Sequence, residues 1–302
     1  MTDDQHTIQS LRLDVGDGYE LYVQEWGSAA GTPIISLHGG PGGSAKDSHK
    51  SRFNPERHRV IFYDQRGCGQ STPLGSLEYN TTDEQVEDII KILDRLQIDQ
   101  VVVSGASWGS CLALVFAIRH PKRVSKLIIN GIFTGTRDEV EYITHGMFRA
   151  HFPDVWQAFL DATPPEHHDA PARYHQERLF GDDEQASMQS GIALTNLEGS
   201  VMNLDDRTHP IDPEKYDPTH SLIEQHYMMN DCFLPEGYIL EHAHKIKAPV
   251  VIIQGRYDFV CPPETAWKLH KALPNSQLLW TQAGHGGDRS NYETARAVFA
   301  SI

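Results

Sequence analysis

The stretch "GASWGS", residues 105–110, holds a serine between two glycines and follows an apolar run at 101–103. A Gly-x-Ser-x-Gly pattern after a buried strand predicts a tight turn into a helix, with the serine at its tip. The glycines leave room where side chains would collide with the adjoining strand and helix. The sequence therefore predicts that Ser107 is presented as a nucleophile at a helix N-terminus.

A serine hydroxyl is a poor nucleophile at neutral pH, so it needs a base that is itself oriented by an acid. Asp258, in "QGRYDFVCP", follows a predicted strand, and His285, in "WTQAGHGGD", follows the last one. Residue type, chain order and loop position all agree with a catalytic triad. We therefore predict a triad of Ser107, Asp258 and His285.

Acyl transfer also needs hydrogen-bond donors for the oxyanion that develops in the transition state. One predicted donor is the backbone N–H of Trp108, whose side chain either walls the pocket or packs internally. The second comes from "HGGPGG" (38–43), where we select Gly40, with Gly39 as the alternative. The glycine-rich "YDQRGCGQS" (63–71) fits neither phosphate-binding fingerprint, which favours a structural loop beside the site.

The elements that must position these residues are strands separated by helices. Runs apolar on both faces favour central strands of a parallel sheet, whereas the alternating "LRLDVGDGYELYVQEW" predicts an antiparallel edge hairpin. The fold class is therefore α/β, with a mostly parallel, doubly wound sheet. The predicted strands after the first run of the hairpin are 21–26, 33–39, 59–64, 101–105, 126–131, 249–255 and 277–281.

Residues 136–245 interrupt this alternation, since they contain no valine-rich strand and are richer in Pro, His, Asp and Glu. Two stretches there, "EYITHGMFRAHFPDVWQAFLDA" and "QASMQSGIALTNLEGSVMNL", have helical character. We predict a core domain of residues 1–135 and 246–302, and a helical cap domain of residues 136–245. Such an insertion commonly lies over the carboxyl ends of the strands, where α/β sheets bind ligands.

Composition narrows the classes of partner. The 302 residues carry a formal net charge of −15, which disfavours nucleic acid and anionic membranes. Neither a signal peptide nor a membrane span is predicted, and four scattered cysteines favour a cytoplasmic location. The seventeen histidines lack metal-site spacing, so no metal is expected. Cys111, in the helix after the serine, is predicted to be a packing residue.

Taken together, "HGGPGG", "DQRGCGQS", "GASWGSCLAL", "GRYDFVCP" and "AGH" resemble the proline iminopeptidase family of α/β-hydrolases over residues 10–300. The resemblance implies a cytoplasmic, cofactor-free serine exopeptidase that removes an N-terminal residue, preferably proline, from short peptides. It assigns the same triad and the same oxyanion donors. It further implies that Glu198, in "LTNLEGS", and Glu224, in "IEQHYMMN", hold the free amine of the substrate.

The sequence departs from the family pattern at three positions. Leu194 and Leu197 stand where the family usually has tryptophan, and Asn130 stands where it usually has arginine. Loss of aromatic walls and of a fixed cation weakens the expectation of strict proline preference. An esterase, lactonase or amidase on the same scaffold is therefore the alternative enzyme. A non-catalytic binding protein is the alternative from another class, although the complete set of triad residues argues against it.

Overall fold

The computed structural model describes residues 4–204, 211–286 and 288–302. Eight strands form one sheet in the order β1-β2-β4-β3-β5-β6-β7-β8. The strands are β1 (Thr7–Gly16), β2 (Tyr19–Gly27), β3 (Thr32–Leu37), β4 (His58–Tyr63), β5 (Val101–Ser107), β6 (Val124–Ile132), β7 (Val250–Gly255) and β8 (Ser276–Thr281).

The sheet is antiparallel at one edge and parallel elsewhere. Strands β1 and β2 form an antiparallel hairpin, and β2 pairs antiparallel with β4. All pairings from β4 to β8 are parallel, so the carboxyl ends of β3 to β8 meet at one rim. The predicted mostly parallel sheet with an edge hairpin is confirmed.

Strand β5 has no polar face because the sheet is covered on both sides. Val101 and Val103 are buried in one hydrophobic core, and Val102 is buried in the other. Alternate residues of a strand point to opposite faces, so a run of three valines fits only a strand buried on both sides. This burial explains why the strand before Ser107 shows no polar alternation.

Eleven helices occur among the described residues. They are α1 (Asp47–Lys50), α2 (Thr82–Arg95), α3 (Trp108–Arg119), α4 (Arg137–Thr144), α5 (Pro153–Asp161), α6 (Pro171–Leu179), α7 (Glu184–Gly199), α8 (Thr219–Met229), α9 (Tyr238–His242), α10 (Pro263–Ala272) and α11 (Arg289–Ala300). None of them combines the length and apolar character needed to cross a bilayer.

The described part of the segment between β6 and β7 is helical and contributes no strand to the sheet. The first helical stretch predicted there is not continuous. Helix α4 ends at Thr144, Gly146 adopts a left-handed φ of +60°, and α5 begins at Pro153. A left-handed residue cannot continue a right-handed helix, and proline is favoured at a helix start, so the stretch divides into separate helices.

The loop after β4 is anchored to α2 by a buried ion pair. Arg66 Nε donates to Asp88 Oδ2 at 2.7 Å, and its Nη2 donates to Oδ1 at 2.9 Å. Both side chains are fully buried, and this two-point geometry fixes the plane of the guanidinium. The loop therefore has a defined position beside the carboxyl ends of β3 and β5.

Candidate active site

Ser107 lies at a sharp turn between β5 and α3. Its backbone has φ of +56° and ψ of −128°, a conformation that residues with a β-carbon rarely adopt. A β-carbon at Gly105 would lie 2.1 Å from the oxygen of Gly109, and one at Gly109 would lie 2.3 Å from the oxygen of Leu37. A side chain at either position would collide with neighbouring backbone. The Gly-x-Ser-x-Gly pattern therefore requires glycine at both positions.

The side chains of Asp258 and His285 meet beyond the ends of β7 and β8. Their Oδ2 and Nδ1 atoms are 2.9 Å apart, so the imidazole donates from Nδ1 to the carboxylate. Oδ1 of Asp258 accepts the backbone N–H groups of Val260 and Cys261 at 3.0 and 2.7 Å, and Gln254 donates to Oδ2 at 2.9 Å. The buried carboxylate is thus held in one orientation from several directions.

The protonation of His285 reflects two opposing effects. Burial alone would lower the pKa of its imidazole, because burial disfavours the charged form. The negative charge of Asp258 and its hydrogen bond outweigh burial, so the pKa of His285 is raised above its ordinary value. An imidazolium formed at this position is consequently stabilised, which is the property that a general base requires.

Ser107 and His285 lie on two sides of Gly131. The position of a β-carbon at Gly131 is 3.0 Å from His285 Cε1 and 3.7 Å from the backbone nitrogen of Ser107. Among residues 4–204, 211–286 and 288–302, no hydrogen bond joins the side chain of Ser107 to that of His285. Such bonds are often long in ligand-free enzymes and shorten when substrate binds. The three predicted residues therefore converge at one rim of the sheet.

The glycine loop after β3 comes equally close to the nucleophile. A β-carbon on Gly39 would lie 3.2 Å from Ser107 Cβ, so both glycine candidates are near the serine. Gly40 has φ of +111° and lines the cavity that contains Ser107. A β-carbon on Gly40 would lie 2.7 Å from the nitrogens of Gly42 and Gly43, which only glycine avoids.

A hydrogen-bond network that sequence reasoning missed fastens this loop. His38 Nε2 accepts the backbone N–H of Gln65 at 3.0 Å, and the Gln65 side-chain amide donates to the oxygen of His38 at 2.9 Å. The indole Nε1 of Trp108 donates to Gln65 Oε1 at 2.9 Å. The signal available in the sequence was a polar glutamine directly after a buried strand, at a depth where polar groups need partners.

The side chain of Trp108 could either wall the pocket or pack internally, and its surroundings decide between the two. It is fully buried, its ring meets Tyr227 edge-on at a centroid distance of 4.7 Å, and it does not line the cavity. The side chain therefore packs internally, while its backbone nitrogen begins α3 directly after the candidate nucleophile.

A single cavity of about 70 Å³ contains the candidate nucleophile and two acidic side chains. Ser107 and Gly40 line one part of it, and Glu198 from α7 and Glu224 from α8 line another. Its apolar lining consists of Phe133, Val140, Ile143, Met228 and Val260. The structure thus places both glutamates identified by resemblance in the same space as Ser107.

The pKa values of the two glutamates shift in opposite directions. Burial, the charge of Glu224 and a hydrogen bond between the two side chains raise the pKa of Glu198 well above its ordinary value. Burial also acts to raise the pKa of Glu224, but the nearby His220 imidazole and the interaction with Glu198 lower it overall. Two buried carboxyl groups do not both ionise readily at short range, so ionisation of Glu224 is favoured over that of Glu198.

Glu139 is a third acidic residue of the cavity that was not predicted, and its oxygens are already occupied. They accept the backbone N–H and hydroxyl of Thr134 and the backbone N–H and hydroxyl of Thr136, at 2.6 to 3.1 Å. Thr136 and Glu139 form the capping box of α4. This Thr-x-x-Glu spacing is readable in the sequence, and it indicates a capping role.

The three departures from the family pattern lie outside the cavity. Leu194 and Leu197 are buried in the core through α7, and Leu197 also borders a separate groove between α5 and α7. Asn130 lies on β6, opposite Ala106 and Ile253 in the neighbouring strands. None of the three lines the space around Ser107. These three side chains therefore supply neither an aromatic wall nor a cation to the cavity, and the weakened proline preference stays a prediction.

The cysteines are all free and buried. Cys111 is fully buried within α3, as expected of a packing residue. Cys261 lines the cavity, but burial raises the pKa of its thiol well above the ordinary value, and the charge of Asp258 adds to this. A protonated thiol is a weak nucleophile, so Ser107 remains the candidate. Within the described ranges, no three His, Cys, Asp or Glu side chains are grouped as a metal site would require.

Known proteins resemble this chain both in sequence and in fold. A family model described as "alpha/beta hydrolase fold" matches residues 32–287. A proline iminopeptidase of Arabidopsis thaliana is 37% identical over 287 residues, covering 92% of this chain and 75% of the relative. A proline iminopeptidase of Xylella fastidiosa is 38% identical over 280 residues, covering 90% of this chain and 89% of the relative.

Solved structures agree on the fold alone. An esterase from Exiguobacterium antarcticum superposes with a TM-score of 0.62 at 22% identity, covering 97% of this chain and 98% of the other. A bromoperoxidase from Bacillus anthracis gives a TM-score of 0.65 at 18% identity, covering 97% of this chain and 100% of the other. An esterase and a bromoperoxidase share this scaffold, so the chemistry has to be argued from the site.

Proposed function

Since the chain belongs to the proline iminopeptidase family of alpha/beta hydrolases, we propose that it is a serine aminopeptidase that releases an N-terminal residue, preferably proline, from short peptides. One observation carries this proposal. A single small cavity is lined by a strained serine and, on another side, by a pair of buried glutamates. A nucleophile close to an anionic pocket is what cleavage next to a free amine requires.

In the proposed reaction, Ser107 attacks the carbonyl carbon of the first residue while His285 takes the hydroxyl proton. Asp258 keeps the imidazole oriented and stabilises its positive form. The backbone N–H groups of Gly40 and Trp108 stabilise the oxyanion. His285 then gives its proton to the leaving amine, and water hydrolyses the acyl-enzyme by the same route in reverse.

The glutamate pair supplies the selectivity for a free N-terminus. The carboxylate of Glu224 balances the charge of the substrate's ammonium group, and the Glu198 carboxyl offers a further oxygen as acceptor. An N-terminal proline has two N–H donors, which matches two adjacent acceptors. Because the pair and Ser107 line one small cavity, the free amine is held close to the nucleophile, which favours cleavage after the first residue.

The remaining parts of the chain have supporting roles in this proposal. Residues 136–245 act as a cap domain on a core of residues 1–135 and 246–302, because α7 and α8 bring the glutamates to the cavity. Four free cysteines suit a reducing compartment, so we place the enzyme in the cytoplasm.

The nucleophile is tested with a panel of aminoacyl-arylamides and simple esters ranked by kcat/KM. Proline-arylamide should be the best substrate of the wild type, and Ser107→Ala should remove its turnover while circular dichroism stays unchanged. An ester or an N-acylated amide ranked above all free-amine substrates would instead support the esterase or amidase alternative.

The glutamates are tested by comparing a proline-arylamide with its N-acetyl derivative. Glu198→Gln and Glu224→Gln should each reduce kcat/KM for the free amine by more than tenfold, because each removes a group of the amine site. They should leave any slow turnover of the N-acetyl compound nearly unchanged. Glu184→Gln, at an exposed position of α7, is the matched control. Equal losses on both substrates would contradict amine capture.

A further inference from the structure

His220 connects the buried glutamate pair with solvent. It lies in the first turn of α8, one turn before Glu224, and its Nε2 is 3.7 Å from Glu224 Oε1. The side chain of His220 is 48% exposed, whereas that of Glu224 is only 8% exposed. The backbone of Gly42 packs closely against that of His220, since a β-carbon on Gly42 would lie 2.6 Å from the oxygen of His220.

His220 and Glu224 lie within ion-pair distance of each other. The pKa of Glu224 is lowered and that of Glu198 is raised well above its ordinary value, so Glu224 is the carboxyl group of the pair that ionises more readily. Burial acts to lower the pKa of His220, but the neighbouring Glu224 carboxylate raises it overall. His220 is therefore the group placed to balance the charge of Glu224 when its imidazole is protonated.

Other charged groups face this cluster from neighbouring elements. Lys46, in the loop between β3 and α1, repels the charged form of His220 and lowers its pKa in part. Burial lowers the pKa of His38 to about 4, so that ring is neutral near pH 7. The charge of Asp258 raises the pKa of Glu198 in part, and burial, with a smaller effect of Glu224, raises the pKa of Tyr216. None of these groups balances Glu224 as directly as His220 does.

We propose that His220 is the resident counter-cation of Glu224 and releases its proton to solvent when the ammonium group of the substrate binds. This inference rests on the proposed function, because it takes the ligand to be an amine held by Glu224. The exchange balances: one cation enters the pocket, one proton leaves through the exposed imidazole edge, and no bond to carbon changes. His220 touches substrate only through Glu224, so it is a positioning residue.

The physical cause is competition between two cations for one carboxylate. The attraction between opposite charges is strong at separations near 4 Å in a half-buried setting. Binding of the ammonium therefore lowers the pKa of His220. By linkage, loss of the His220 proton must strengthen ammonium binding by the same factor. The substrate should bind more tightly as pH rises through the pKa of His220.

Calorimetry of L-prolinamide binding tests the inference. The Ser107→Ala protein is used so that no turnover occurs. Titrations near pH 6.5 in buffers of different ionisation enthalpy count the protons released, at a pH where the amine is still charged. We expect about one proton released per ligand, and almost none after the additional change His220→Asn. His220→Asn should also tighten binding at this pH about fivefold or more, and His220→Lys should weaken it by about tenfold or more.

One control variant and two kinds of contrary outcome separate failure of this inference from failure of the proposed function. His120→Asn removes another His–Glu pair, 3.9 Å from Glu87 and outside the cavity, and should leave the proton count unchanged. If His220→Asn still releases a full proton, the proton comes from Glu198 and the inference is wrong while the proposed function stands. If Glu224→Gln leaves prolinamide affinity unchanged, or if no variant binds it, both proposals are overturned.

Discussion

Gln65 accepts a hydrogen bond from the indole of Trp108 at 2.9 Å and so joins the loop after β4 to the residue that follows the nucleophile. The same side chain donates to the oxygen of His38, at the start of the glycine loop. The two backbone segments proposed to bind the oxyanion are therefore tied to each other through one glutamine. Their relative position depends on that residue.

Replacing Gln65 should impair catalysis and stability together. Gln65→Met leaves the Trp108 indole and the His38 oxygen without partners, which we expect to reduce the free energy of unfolding by about 3 kcal/mol. Slight displacement of the oxyanion donors should reduce kcat by roughly 10- to 100-fold. Urea unfolding and steady-state kinetics measure both effects. Gln157→Met, at an exposed position of α5, is the control, and a kcat within twofold of wild type would contradict this role.

The backbone at Ser107 should reveal its strain through a pair of inactive variants. Ser107→Gly and Ser107→Ala both lack the hydroxyl, but only alanine keeps a β-carbon at φ of +56°. Glycine adopts this region readily, so Ser107→Gly should be more stable than Ser107→Ala by about 1 kcal/mol. Denaturant midpoints compare the two directly. Equal stability would mean that the elbow conformation stores no strain.

In a His220→Asn background, which removes the other titrating histidine of the site, the pH dependence of kcat/KM should report His285. It must be neutral to accept the serine proton, and its pKa is raised by Asp258, so the acidic limb of the profile should have its midpoint above 6.5. Asp258→Asn removes the orienting charge and should lower kcat by about 10⁴. A pH series with proline-arylamide measures both. A midpoint below 6.5, or a loss smaller than tenfold in Asp258→Asn, would be inconsistent with the assignment.

Stability should fall in mild acid because of His175, which does not line the cavity around Ser107. Its ring nitrogens contact the hydroxyls of Thr163 and Ser190, and burial lowers its pKa from 6.5 to about 4. The unfolded chain binds this proton at a higher pH than the folded chain. The contribution of His175 to the free energy of unfolding is therefore fully present above pH 6.5. It declines as pH falls towards about 4, by at most about 3 kcal/mol.

The variant His175→Gln isolates this contribution. Its unfolding free energy should change less between pH 7 and pH 5 than that of the wild type, as measured by urea denaturation. His145→Gln, at an exposed position, should retain the wild-type slope. Identical slopes for His175→Gln and wild type would show that this histidine does not link protonation to folding.

Leu194, Leu197 and Glu198 show that neighbours on one helix can differ in their contact with the cavity. Both leucine side chains pack into the core and supply no wall of the cavity, and the predicted weakening of proline preference stays a prediction. The neighbouring Glu198 does reach the cavity. Adjacent residues of a helix point about 100° apart, so a position next to a site residue need not touch the site.

The sequence by itself determined the strand, the elbow and the helix around Ser107. A valine run buried on both faces and two glycines at fixed spacing are properties of neighbouring residues, and chain order was enough to select Asp258 and His285. The tertiary structure alone decided that Gln65 bridges to Trp108, and that two glutamates from different helices, Glu198 and Glu224, line one cavity with the serine. These relationships join residues far apart in the chain, where local periodicity carries no information. Only packing brings such groups close enough to shift each other's pKa.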